Sequence, residues 1–125
     1  MIFPVPWHLF RENADESAGK IPESAIDLTT YPPYRLVWCL EWFDRQTGLI
    51  VGEVVLEKFD SGAFRKILRR PPSDPMVGGE WSITRRNRDK VERLIGKPLH
   101  LSQYSYFIGA RALNFSEVKK AMANV

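Results

Sequence analysis

Two histidines and one cysteine are all the imidazole and thiol chemistry in this chain of 125 residues. His8 and His100 lie far apart, and neither stands at ligand spacing from Cys39 or from a second imidazole. No metal site follows from such a set, and a single cysteine leaves no internal disulfide. Asp44, Asp60 and Asp74 each stand where a turn or a helix cap wants a carboxylate. Cys39 falls inside an apolar strand pattern, the usual setting of an inert thiol. The pair Gly78–Gly79 is followed by Glu80, which would repel a phosphate, so it reads as a tight turn. His100, Tyr104 and an arginine could supply the base, acid and cation of a metal-free ribonuclease. Alternation in LHLSQYSYF accounts equally well for His100 as a polar residue entering a strand. No catalytic residue, metal or cofactor is assigned.

Arginine chemistry is more distinctive. In ITRRNRDKVERLIG, Ile83 to Gly96, Thr84 reads as a helix N-cap and Gly96 as the left-handed residue that ends the helix. Arg85 and Arg86 then fall in the first turn, beside the positive end of the helix dipole. Each is unfavourable there by about 0.3–1 kcal/mol relative to an acid. Free amides plus two guanidinium groups would hold an anion, either a phosphate or a partner's carboxylate. Arg69 and Arg70 differ, because cations near a helix C-terminus need no further cause. Arg85, Arg86 and Arg88, with Arg69, Arg70 and Trp81, form the expected partner-binding set.

These residues need a scaffold, and periodicity supplies one. YRLVWCLEWF, Tyr34 to Phe43, alternates with Tyr34, Leu36, Trp38, Leu40 and Trp42 on one apolar face. DRQTG turns the chain, with Gly48 suited to a left-handed residue, and Leu49 to Phe59 returns as a second strand. Asp60 caps a helix, SGAFRKILRR, whose inner stripe is Phe64, Ile67 and Leu68 and which Pro71 and Pro72 end. EWSI reads as a short strand before the arginine-led helix, whose Val91, Leu94 and Ile95 face inward. A strand over Tyr104 to Ala112 and a last helix, SEVKKAMANV capped by Asn114 or Ser116, complete the order ββαβαβα. The fold class is α+β: an antiparallel sheet of three to four strands with helices on one face. Residues 34–125 make that domain. Residues 1–33, rich in proline and acids, read as an extended arm in which Phe3, Val5 and Trp7 alternate and Glu12 to Lys20 form a solvated loop.

The net charge of +3 conceals a division. Residues 1–64 hold 5 Lys and Arg against 10 Asp and Glu, whereas residues 65–97 hold 10 against 4. Such a split of sign marks an interaction surface. Nothing resembles a membrane span of roughly 18 apolar residues. Pro4 and Pro6 interrupt the apolar start, which also lacks a basic leader, so a cytoplasmic location is expected. No helix-turn-helix or zinc finger is present, and alternation assigns Trp38 and Trp42 to the core rather than to a base-stacking platform. A small nucleic-acid-binding or regulatory domain remains the alternative, with Arg65 to Arg93 as its basic surface.

FDRQTGLIVGEVVLEKFDSGAFRKIL, then DPMVGGEWSIT and LIGKPLHLSQYSYFIGA, resembles a family of small bacterial α+β proteins. Its members are similar to the immunity proteins of polymorphic toxin systems, including contact-dependent growth inhibition. The likeness runs over about residues 34–112 and rests on Phe43, Asp44, Thr47, Gly48, Gly52, Glu53, Phe59, Asp60, Asp74, Pro75, Gly79, Tyr104, Tyr106 and Phe107. It departs at Arg85, Arg86 and Arg88, where acids are usual. The resemblance implies a protein without catalytic residues that blocks one cognate toxin, a nuclease by expectation, through a complementary surface. The acidic part, with Glu12, Asp15, Glu16, Asp27 and Glu41, is a second contact the sequence leaves open.

Overall fold

Alternation in the aromatic segment does produce the central strand. The computed structural model describes residues 21–30, 32–74, 76 and 79–123. Expectations for Phe3, Val5, Trp7, His8, the loop Glu12 to Lys20, Pro75 and Gly78 lie outside those residues. The strands are β1 (Ile26–Asp27), β2 (Leu36–Asp44), β3 (Ile50–Val55), β4 (Glu80–Ser82) and β5 (Tyr104–Ala112). The helices are α1 (Ser61–Leu68), α2 (Arg88–Ile95) and α3 (Phe115–Ala123). All strand pairs are antiparallel: β4 pairs with β5, β5 with β2, and β2 with both β3 and β1 along its other side.

The α+β class with an antiparallel sheet holds, but the sheet has five strands rather than three or four. The added strand is β1, just after one turn of 3-10 helix at Glu23–Ala25, within the segment read as an arm. Only two residues pair there, too few to leave a periodic signal. Asp27 explains why the chain is held at this point. Its carboxylate accepts hydrogen bonds from the Thr29 and Thr30 amides, from both threonine hydroxyls and from the Trp38 indole at 3.1 Å.

Leu36, Trp38 and Leu40 are buried on the first face of β2, with Tyr34 and Trp42 packed at its margin. Phe64 from α1 and Val91 from α2 close over them, so both helices cover that face. The opposite face of β2 is also buried: Val37 and Cys39 form a smaller cluster with Leu113, Ile21, Ile26 and Val55. Turn chemistry follows the residue types. Asp44 Oδ1 accepts from the Gln46 and Thr47 amides, and Gly48 takes a φ of 74°. Gly52 is needed for another reason: a Cβ there would lie 2.3 Å from the Trp42 ring, which crosses β3 at this point. Lys97 Nζ sits 4.3 Å from the same ring's centre.

The expected cap of α1 is in place, because Asp60 accepts from the Ala63 amide at 2.9 Å. Its helix is shorter than SGAFRKILRR implies, since Arg69 is already left-handed at φ 57°. Asn114 precedes α3, and its side chain clamps the entry to β2. It accepts from the Arg35 amide at 2.8 Å and donates to the Pro33 carbonyl at 3.1 Å. Asn114→Ala removes both bonds, and we expect urea denaturation to show a loss of about 1–2 kcal/mol; an unchanged midpoint would mean that solvent replaces them. No helix among the described residues is long and apolar enough to cross a membrane.

Candidate functional site

The start of α2 differs from its sequence reading. The helix begins at Arg88, not after Thr84, and Asn87 holds the N-cap position. Thr84 lies a turn earlier; its amide donates to Asn87 Oδ1 at 2.8 Å and its carbonyl accepts from the Asn87 and Arg88 amides. Arg85 and Arg86 therefore occupy a turn ahead of the helix, and Asp89 is the acid in its first turn. The supposed conflict with the dipole reduces to Arg88, which forks onto Asp89 Oδ1 through Nε and Nη2, both at 3.2 Å. Ile83 explains the delay, since its amide is held by the Tyr106 carbonyl as the chain leaves β4.

The other basic residues divide by what they touch. Arg70 grips Asp74 Oδ2 through Nε at 2.6 Å and Nη2 at 2.5 Å, while Arg65 Nη1 donates to the Pro71 and Asp74 carbonyls. Both fasten the loop after α1. Arg69, Arg85 and Arg86 are exposed and form no ion pair among the described residues. Trp81 is half-buried, its ring 6.5 Å from Trp38 and 6.2 Å from Phe64. It acts in packing, and its alternation partner across β5, Ile108, is fully buried.

Sequence reasoning missed the feature that collects these groups. A cleft of about 760 Å³ opens at the end of β4 and β5, lined by Arg85 and by Arg45 of the β2–β3 turn. Ser82, Thr84, Ser102 and Ser105 supply hydroxyls, and Ile83, Leu101 and Tyr106 supply buried apolar surface. Arg45 Nε donates to the Leu101 carbonyl at 2.5 Å and its amide to the Gln103 carbonyl at 3.2 Å. The guanidinium is thereby oriented, with both Nη groups free of protein partners among the described residues. The β2–β5 register, which pairs Asp44 with Tyr104, brings the hairpin turn to this loop.

Glu80 enters the same cleft from the second face of the sheet. Register puts Glu41, Glu53, Glu80 and Cys39 on this face, and Glu80 lies opposite Gly109, where β5 carries no side chain. Burial first, then the adjacent Glu41 carboxyl and the charge of Glu53, push the Glu80 carboxyl up to about 9. Glu41 is only 2% exposed, so it cannot belong to an acidic contact surface. Asp27 is committed to its own network, where burial opposes but the Thr30, Thr29 and Trp38 hydrogen bonds prevail, holding its carboxyl near 2. Glu12, Asp15 and Glu16 lie outside the described residues.

The remaining chemical candidates are placed as follows. Cys39 is buried, and that burial pushes its thiol up to about 12, with Arg111 opposing and Glu53, Glu41 and Glu80 adding to the rise. Tyr104 Oη accepts from the Gln103 amide group at 3.0 Å, and the His100 backbone amide donates to Tyr106 Oη at 3.2 Å. Among the described residues no three His, Cys, Asp or Glu side chains gather to hold a metal.

Residues 37–109, the strands and helices that frame this cleft, match the family model described as a domain of unknown function (DUF7683). The chain belongs to that family. No curated protein matches it. The family match spans β2 to β5 and so includes both arginines of the cleft, whereas α3 and the segment before β2 lie beyond it.

Proposed function

We propose that this protein is a cytoplasmic immunity protein. It binds one cognate bacterial toxin, a nuclease effector, and neutralises it by covering the toxin's active or substrate-binding surface. The observation that carries this reading is the pairing of Arg45 and Arg85 at one cleft, each without an ionic partner among the described residues, on a framework fixed from both sides. Oriented, unneutralised guanidinium groups favour association with an acidic surface and set partner choice. The division of charge along the chain and the sequence resemblance support the same reading. Such a protein performs no bond-making of its own, and the buried thiol of Cys39 fits that role.

A nucleic-acid ligand is less well served. Arg70 and Arg88 are engaged with Asp74 and Asp89, which interrupts any continuous row of free cations. The test is to produce the chain with the protein encoded beside its gene, measure their association by calorimetry, and titrate cell survival against expression of the two. We expect a one-to-one complex and protection in proportion to the amount of this chain. A neighbouring protein that neither binds nor becomes less toxic would refute the proposal. Arg85→Glu with Arg86→Glu should weaken the complex while leaving the thermal midpoint in place, because both side chains are exposed.

A further inference from the structure

We infer that the cleft between Arg45 and Arg85 is a carboxylate-binding subsite that receives an aspartate or glutamate side chain of the protein partner; the partner half of this statement rests on the immunity reading above.

The chemistry of the walls carries the assignment. Arg45 reaches the cleft with its Nε already bonded to Leu101, so its Nη edge needs no further ordering before it meets an anion. Arg85 contributes a second guanidinium from the turn ahead of α2. The hydroxyls of Ser82, Thr84, Ser102 and Ser105 form no hydrogen bond among the described residues, so each has a proton to donate. Ile83, Leu101 and Tyr106 give the cleft apolar surface that suits the methylene stem of such a side chain. Among the described residues Glu80 is the only acid in the lining, and its carboxyl, buried beside Glu41 and raised to about 9, sets no repelling charge against an anion at neutral pH.

A carboxylate on a protein suits this arrangement better than a nucleic-acid backbone. Tight binding of a duplex uses roughly 6–10 phosphate contacts spread along a track. Here two arginines line one half-open cleft, and the first arginine of α2, Arg88, is held by Asp89.

The experiment uses the full chain, Arg45→Gln, Arg85→Gln, the double variant, and Arg69→Gln as an exposed arginine outside the cleft. Thermal midpoints near that of the parent chain show that each variant folds. Against the purified product of the adjacent gene, we expect each cleft variant to raise Kd about tenfold and Arg69→Gln to change it less than about twofold. If the complex forms and the cleft variants bind as tightly as the parent, the subsite is wrong and the immunity reading stands. If the adjacent product does not bind the parent chain, the immunity reading fails, and succinate then decides the cleft by amide NMR. Shifts confined to residues 82–85 and 101–105, absent from the double variant, keep the carboxylate site; no shifts remove it. Tight binding of a 12-nucleotide RNA with a steep salt dependence, lost in the double variant, would overturn the assignment in favour of nucleic acid.

Discussion

Trp38→Ala is expected to lower folding stability by about 3–5 kcal/mol, the range for removing a large buried aromatic. Trp38 is 1% exposed at the centre of β2 and touches three aromatic rings from three other parts of the chain. Its ring centre lies 5.1 Å from Phe59, 6.1 Å from Phe64 and 6.5 Å from Trp81. The void left behind would therefore loosen the segment before α1 and α1 itself from the sheet and leave the Trp81 ring of β4 without its neighbour on β2. Its indole also bonds Asp27, so the variant releases β1 as well. Domains of this size are stable by about 5–15 kcal/mol in total, which leaves the variant near its unfolding threshold. Trp38→Phe narrows the comparison: it keeps one six-membered ring and removes the indole donor with the pyrrole half of the ring, with an expected loss of about 1–3 kcal/mol. Urea unfolding at neutral pH measures both. Equal losses in the two variants would mean that the pyrrole end of the ring, with its Asp27 bond, and not the whole aromatic cluster, dominates.

What could be read from the residues follows the range of the interactions that decide them. The β2–β3 hairpin was legible because period-two burial and the Asp44–Gly48 turn are local and agree with each other. The start of α2 was not, because Thr84 and Asn87 are both acceptable caps and the choice rests on Ile83, held by Tyr106 from another strand. The dipole argument for Arg85 therefore fails, and Arg85 stands in the cleft because the turn ahead of α2 places it there. Arg45 carries no such signal, being one polar residue in a turn; the β2–β5 register carries it to the loop around Leu101. Glu41 misled in the opposite direction. Alternation correctly put it on the other face from Trp38, but acidity suggested solvent, and the burial of that face depends on partners distant in sequence.

The same buried carboxyls set the second large effect, which is a dependence of stability on pH. Glu80 binds its proton more tightly in the folded chain, at about 9, than in the unfolded chain near 4.5. Below 4.5 both states are protonated and the group is neutral to stability. Between those values the unfolded chain gains by ionising and the folded one does not, so stability falls as pH rises; above about 9 both are ionised and the slope ends. The fall is at most about 1.4 kcal/mol per pH unit, and solvent around the half-buried Glu80 reduces it, so we expect on the order of 2 kcal/mol between pH 5 and pH 8. Asp27 acts with the opposite sign. Its folded value near 2 lies under the ordinary 3.8, so its contribution is present above 3.8 and lost as pH falls through 2. Together they place the stability maximum between pH 3.8 and 4.5, well below neutrality. Glu80→Gln cannot ionise and can still donate an amide proton to Glu41, so its denaturation midpoint should stay level from pH 5 to 8 while that of the parent chain drops. Parallel profiles for the two proteins would show that the Glu80–Glu41 contact does not hold a proton at neutral pH.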